Sequence, residues 1–189
     1  MDRENYLRGN YKQQLMRRAK SPTKEAKIRF EDWLWDKEVL RVFVDASELR
    51  YQGIFGLGVI FVGQGNTLVK SKKHYNKAMK KVNIYGEILA VEFALIEVNK
   101  VLDNCFEKPS KIIIYSDWNQ VDRLKETSIL TKRIHIINDV AERINEKTLL
   151  FVNLHPNVEL EILYMKIEEK KYNPFYKGAH NASKKVIRI

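Results

Sequence analysis

Three acidic residues stand where a charge is expensive. Asp45 closes the apolar run Leu40-Arg41-Val42-Phe43-Val44-Asp45, Asp117 closes Ile112-Ile113-Ile114-Tyr115-Ser116-Asp117, and Glu87 lies on an amphipathic stretch between them. A carboxylate on a strand that should be buried is costly unless it is paired or bound to a cation. Together the three make a metal site the first chemistry to test. Each also has a plainer reading: Asp45 as an acceptor at a strand end, Glu87 as the partner of a Lys, and Asp117 as a helix cap after Ser116.

To meet, these residues must be carried by separate elements. Residues 40–45, 56–62 and about 67–74 read as short strands joined by turn-length connections, an antiparallel meander. Five of the eight Gly fall between Gly53 and Gly65. No Gly-Lys-Ser or Gly-Lys-Thr follows them, which argues against a phosphate-binding loop and for hairpin geometry. Beyond them Ile84, Ile88, Val91, Leu95, Val98 and Leu102 recur at intervals of four and three, one face of a helix. Glu87, three residues after Ile84 and four before Val91, projects toward that apolar side, whereas Glu92 and Glu97 lie further round and are expected in solvent. A strand over 111–117 follows, then a helical stretch from about Leu130 to Phe151 with Ile134, Ile137, Val140, Ile144 and Leu149 in rough register. Residues 157–166 alternate as a fifth strand, and a loop over 168–178 leads into a basic C-terminal helix.

Residues 1–38 read as a separate basic helical arm, with a break at Ser21-Pro22 where Ser21 is placed to cap a second helix starting at Pro22. Its Tyr6, Tyr11, Trp33 and Trp35 suit either stacking on bases or docking the arm onto the core.

A chain of 189 residues, 44% hydrophobic and 31% charged, is enough for one principal domain with a full core. The charged start and the lack of any apolar run near the roughly 20 residues that span a bilayer point to a cytoplasmic protein without membrane association. Cys105 is alone, so no intrachain disulfide forms, and four scattered His give no zinc-ligand spacing. The net charge of +10 comes in blocks. Residues 1–29 hold nine Lys or Arg against Asp2, Glu4 and Glu25. Residues 70–81 hold Lys70, Lys72, Lys73, Lys77, Lys80 and Lys81 without an acid, and residues 170–189 hold Lys170, Lys171, Lys177, Lys184, Lys185 and Arg188, again without one. Such blocks are either solvated faces or the footprint of a polyanion, and flanking a carboxylate set they bring the nucleic-acid reading level with the other.

The order β-β-β-α-β-α-β-α, with acids on the first strand, first helix and fourth strand, resembles the ribonuclease H superfamily, and within it the type 1 ribonuclease H branch. The likeness is carried by Val42-Phe-Val-Asp45-Ala-Ser, Gly56-Leu-Gly-Val-Ile-Phe, Tyr85-Gly-Glu87-Ile-Leu-Ala-Val-Glu-Phe-Ala-Leu, Ile113-Ile-Tyr-Ser-Asp117 and Gly178-Ala-His180-Asn-Ala. It covers about residues 39–186, implies an α/β domain over 39–189 with a five-stranded mixed sheet, and leaves the arm unexplained.

The resemblance implies a divalent-metal-dependent endonuclease for the RNA strand of RNA-DNA hybrids. In such a site two Mg2+ or Mn2+ ions about 4 Å apart activate water and stabilise the attacking and leaving oxygens. Asp45, Glu87 and Asp117 would bind them. His180 falls where the family usually has a fourth carboxylate; imidazole binds a divalent metal, better Mn than Mg, but brings no negative charge. The loop before that helix holds none of the His that the family often places there. Ser47, Asn83 and Asn119 fall where contacts to the hybrid are expected, although Asn83 also suits a helix cap. Lys72, Lys73, Lys77, Lys80 and Lys81 would hold backbone phosphates. The alternative is a nucleic-acid-binding module with the same fold and little or no catalysis. A 3′ to 5′ exonuclease would want an acid at position 47, where Ser47 stands, and a transposase or resolvase would want further domains.

Overall fold

In the computed structural model, residues 22–105, 107–125 and 134–188 are described. Ser21, Tyr6, Tyr11 and the expected helix start near Leu130 lie outside them. Five strands form one mixed sheet: β1 (Val39–Glu48), β2 (Ile54–Gly63), β3 (Asn66–Tyr75), β4 (Lys111–Ser116) and β5 (Glu159–Tyr164), in the order β3-β2-β1-β4-β5. The three-strand meander is antiparallel, whereas β4 runs parallel to both β1 and β5. Parallel pairing demands crossovers, and helices supply them.

The helices are α1 (Lys24–Trp35), α2 (Asn83–Leu102), α3 (Ile134–Leu154), the single turn α4 (Ile167–Lys170) and α5 (Pro174–Ile187). Val42, Phe43 and Val44 are all fully buried because both faces of β1 are covered. Val42 and Val44 join α2 and α3 in the larger core with Ile88, Val91, Val98, Ile137, Val140 and Ile144. Phe43, Ile60, Val62, Ile113 and Tyr115 face the other way, against Trp33 of α1 and Phe175 and Tyr176 of α5.

Several local expectations are corrected. α1 starts at Lys24, where Thr23 Oγ1 accepts from the Ala26 amide at 3.2 Å, two residues later than Pro22. Trp33 stacks on Phe43 and Tyr115 at centroid distances of 5.8 and 6.3 Å, so it docks α1, while Trp35 is largely exposed. Asn83 is the first residue of α2 rather than its cap; the cap is Val82, which makes no side-chain capping bond. Glu92 and Glu97 are buried, not solvated. A second helix packs on α2, and its Arg143 grips Glu92 through Nε–Oε1 at 2.7 Å and Nη2–Oε2 at 2.9 Å, a two-pronged pairing that periodicity within one helix cannot reveal. Leu149 is 63% exposed, out of register with the buried Ile144 and Phe151.

The glycines are the most consequential correction. Gly53 and Gly65 do occupy turns with positive φ, 74° and 75°. Gly56 and Gly58 lie within β2, where a Cβ would sit 2.0 Å from the Ser183 carbonyl oxygen and 2.1 Å from that of Ala179. They let the backbone of α5 lie directly on the sheet. α5 also begins earlier than the expected loop allows, at Pro174, with buried Asn173 accepting from the amides of Phe175 and Tyr176 at 2.9 and 3.0 Å.

Among the described residues, no helix is long and apolar enough to cross a membrane.

Candidate active site

Asp45 lies on the face of β1 that carries Phe43, and so it meets α5. Its Oδ2 accepts from Ser183 Oγ at 2.6 Å and faces His180 Nδ1 at 3.1 Å. A carboxylate only accepts, so Nδ1 carries the proton whenever Asp45 is ionised. Ser47, predicted to touch nucleic acid, turns its hydroxyl to Ser183 Oγ at 2.9 Å. With Ser183 donating to Asp45, Ser47 donates to Ser183, and the three groups form one oriented chain. Burial raises the pKa of Asp45 and nearby Asp117 adds to the rise, while the bonds from Ser183 and His180 oppose it.

Glu87 comes from the first turns of α2, which approaches β1 and β2 closely beside Gly86. Burial, then the charges of Asp117 and Asp45, raise its pKa well above the carboxylate range. Its Oε2 is enclosed and has no hydrogen-bond partner. The plainer reading of Glu87, a pairing with a Lys, does not occur through this oxygen.

Asp117 follows the end of β4, beside β1 in the parallel pair. Its Oδ2 accepts from the Tyr176 hydroxyl at 2.9 Å and pairs with Lys170 Nζ at 3.3 Å. The same hydroxyl stands 3.4 Å from Asp45 Oδ1, so it bridges the two strand acids. Burial and the charges of Asp117 and Asp45 push the Tyr176 phenol far above its ordinary pKa, and it stays protonated. Lys170 Nζ lies 5.6 Å from the ring centroids of both Tyr164 and Tyr176, within cation–π range.

The fold thus gathers Asp45, Glu87, Asp117 and His180 at one end of the sheet. Among the described residues, no three His, Cys, Asp or Glu side chains form a ready metal-holding cluster as they stand. Tyr176 and Lys170 take up bonding positions on the acids instead. Sequence reading missed Tyr176, Lys170 and Ser183. The first and last had an available signal: Tyr176 lies four residues before His180 and Ser183 three after it, on the same helix face.

Beside Glu87 lies a cleft of about 440 Å³ lined by Ser47, Glu48, Arg50, Tyr51, Asn83 and Lys184, among others. Glu48 shapes it by accepting from the amides of Gly53 and Lys81 at 2.8 and 3.0 Å. Lys81 Nζ lies 6.0 Å from the Tyr51 ring centroid. Asn119 is exposed in the turn after β4. The lysine block does not act as one surface. Lys72 and Lys73 are neighbours on β3 and alternate between sheet faces, and Lys77 and Lys80 are exposed in the connection to α2. Lys70 lines a separate cavity of about 750 Å³ with Leu40, Phe61, Trp35 and Lys100.

No protein-family model matches the sequence, and no curated protein does. Solved structures do. Ribonuclease H1 of the halophilic archaeon Halobacterium salinarum NRC-1 superposes with a TM-score of 0.52 at 13% identity, over 76% of this chain and 98% of that one. LC11 ribonuclease H1, solved in complex with an RNA/DNA hybrid, gives 0.51 at 16% identity over 79% and 99%. The N-terminal ribonuclease H domain of a Mycobacterium tuberculosis protein gives 0.51 at 9% identity over 78% and 95%. The chain has the ribonuclease H-like fold.

Proposed function

We propose that this chain is a divalent-cation-dependent endonuclease that hydrolyses the RNA strand of RNA-DNA hybrids. The observation that carries the reading is the meeting of Asp45, Glu87 and Asp117 from β1, α2 and the end of β4, with Glu87 Oε2 enclosed and unpartnered. Beyond burial, the charges of Asp117 and Asp45 raise the pKa of Glu87 and that of Asp117 raises the pKa of Asp45, which marks a site in want of positive charge. The carboxylate oxygens fit a hard cation such as Mg2+ or Mn2+. Asp45, Glu87 and Asp117 would hold it, with His180 engaging Asp45 through Nδ1. A bound cation supplies an activated water and neutralises charge on the phosphodiester oxygens.

The rest falls to the chain itself. Ser183 and His180 fix the rotamer of Asp45, and Tyr176 aligns Asp117 with it. The cleft beside Glu87 receives the RNA strand, with Asn83 and the hydroxyl-bearing Ser47 and Tyr51 near its sugar edge. Lys73, Lys81 and Lys184 would meet phosphates, as would Lys72, Lys77 and Lys80, and Asn119 would contact the hybrid from the turn after β4.

Cleavage of an end-labelled RNA-DNA hybrid with Mg2+ or Mn2+, beside the Asp45→Asn variant, tests the proposal. Metal-dependent internal cuts in the RNA strand that vanish in the variant are expected. A second reading, a hybrid-binding module without chemistry, is favoured by His180 in the place of a carboxylate and by the Tyr176 hydroxyl between Asp45 and Asp117. Tight hybrid binding with no cut under either metal would establish it and overturn the nuclease.

A further inference from the structure

We infer that Lys170 occupies the place of one of the two cations, so that the site takes a single divalent ion. The inference rests on the cation-dependent reading above and refines it. Lys170 reaches Asp117 twice, Nζ to Oδ2 at 3.3 Å and Nζ to the backbone oxygen at 3.5 Å. It is not a loose surface lysine. Its side chain is 22% exposed, and its ammonium lies 5.6 Å from the ring centroids of both Tyr164 and Tyr176. Tyr176 in turn donates to the same Asp117 oxygen. Ammonium, rings and carboxylate therefore hold one another in place before any ion arrives.

Charge balance points the same way. Three ionised carboxylates, one ammonium and one divalent ion sum to zero, as do four carboxylates with two divalent ions. His180 stands where the resemblance implies a fourth carboxylate and Lys170 adds an ammonium, so the two charge differences compensate each other. A second divalent ion beside Asp117 would have to expel a charge already desolvated against two aromatic faces, where ammonium–ring attraction is strongest. Glu87 Oε2, enclosed and unpartnered, remains as the open ligand for the one ion, with the charges of Asp117 and Asp45 both acting on this carboxyl.

The test is the count of Mn2+ ions bound by the full chain without nucleic acid, by equilibrium dialysis, with electron paramagnetic resonance to detect a spin-coupled pair. Wild type and Lys170→Arg are expected to bind one ion, Lys170→Met two with a coupled spectrum, and Asp45→Asn none tightly. Met keeps most of the apolar stem beside the rings, and unchanged circular dichroism and melting temperature verify its fold. Equal counts in wild type and Lys170→Met overturn the inference. If both counts are two, the cation-dependent nuclease survives with an ordinary ion pair; if both are zero, that reading falls with it.

Discussion

Glu87 shows what a buried carboxyl among other acids costs. Its carboxyl holds a proton more tightly in the folded chain than an ordinary Glu at about 4.3, through burial and through Asp117 and Asp45. With the folded pKa above the unfolded one, the folded chain binds more protons, and stability without metal falls as pH rises from the unfolded toward the folded value. Glu87→Gln removes the charge and keeps the shape. In EDTA at neutral pH it should stabilise the protein by about 0.5–2 kcal/mol, in the usual trade of function for stability. The gain should vanish below about pH 4, where both states are protonated. Urea melts at several pH values measure this, and a variant less stable than wild type at neutral pH would refute it. The acids themselves were legible, because an Asp closing an apolar strand and a Glu on an apolar helix face break the local pattern. Tyr176 was legible only as a neighbour of His180 on one helix face: an aromatic on an amphipathic helix fits its pattern, and its link to the acids appears only when residue 176 meets residues 45 and 117.

At the scale of elements, β2 and α5 set the precision of the site. Gly56 and Gly58 carry no side chain toward α5, so His180 and Ser183 reach Asp45 at hydrogen-bond distance. Gly58→Ala puts a methyl group 2.1 Å from a backbone oxygen that cannot rotate away. The cost should be about 1–3 kcal/mol or more, read as a lower urea midpoint with unchanged slope, and cleavage should fall further than stability alone explains. A neutral substitution would show that α5 has room to shift. Strand and helix types were readable from periods of two and of three and four. Contacts between elements were not, which is why the strand glycines resembled turn residues and Glu92 resembled a solvated one until α3 and α5 were packed in place.

Across the whole molecule the basic blocks separate by geometry. Lys81 and Lys184 border the cleft beside Glu87, whereas Lys70 faces the cavity at the opposite end of β1 and β2. Hybrid affinity should fall steeply with salt, and the Lys81→Gln, Lys184→Gln double variant should make the log–log slope shallower by roughly 2, about one per lost phosphate contact. An unchanged slope would move the binding face elsewhere. The way α5 completes the site also sets an order in time. His180 follows Asp45 by 135 residues and Ser183 by 138, so during synthesis β1 to β4 emerge well before the partners of Asp45, with β5 following shortly ahead of them. A ribosome-bound chain that stops short of α5 carries the three carboxylates without Ser183, His180 and Tyr176, and the hydrogen-bonded arrangement around Asp45 forms only when α5 closes onto Gly56 and Gly58.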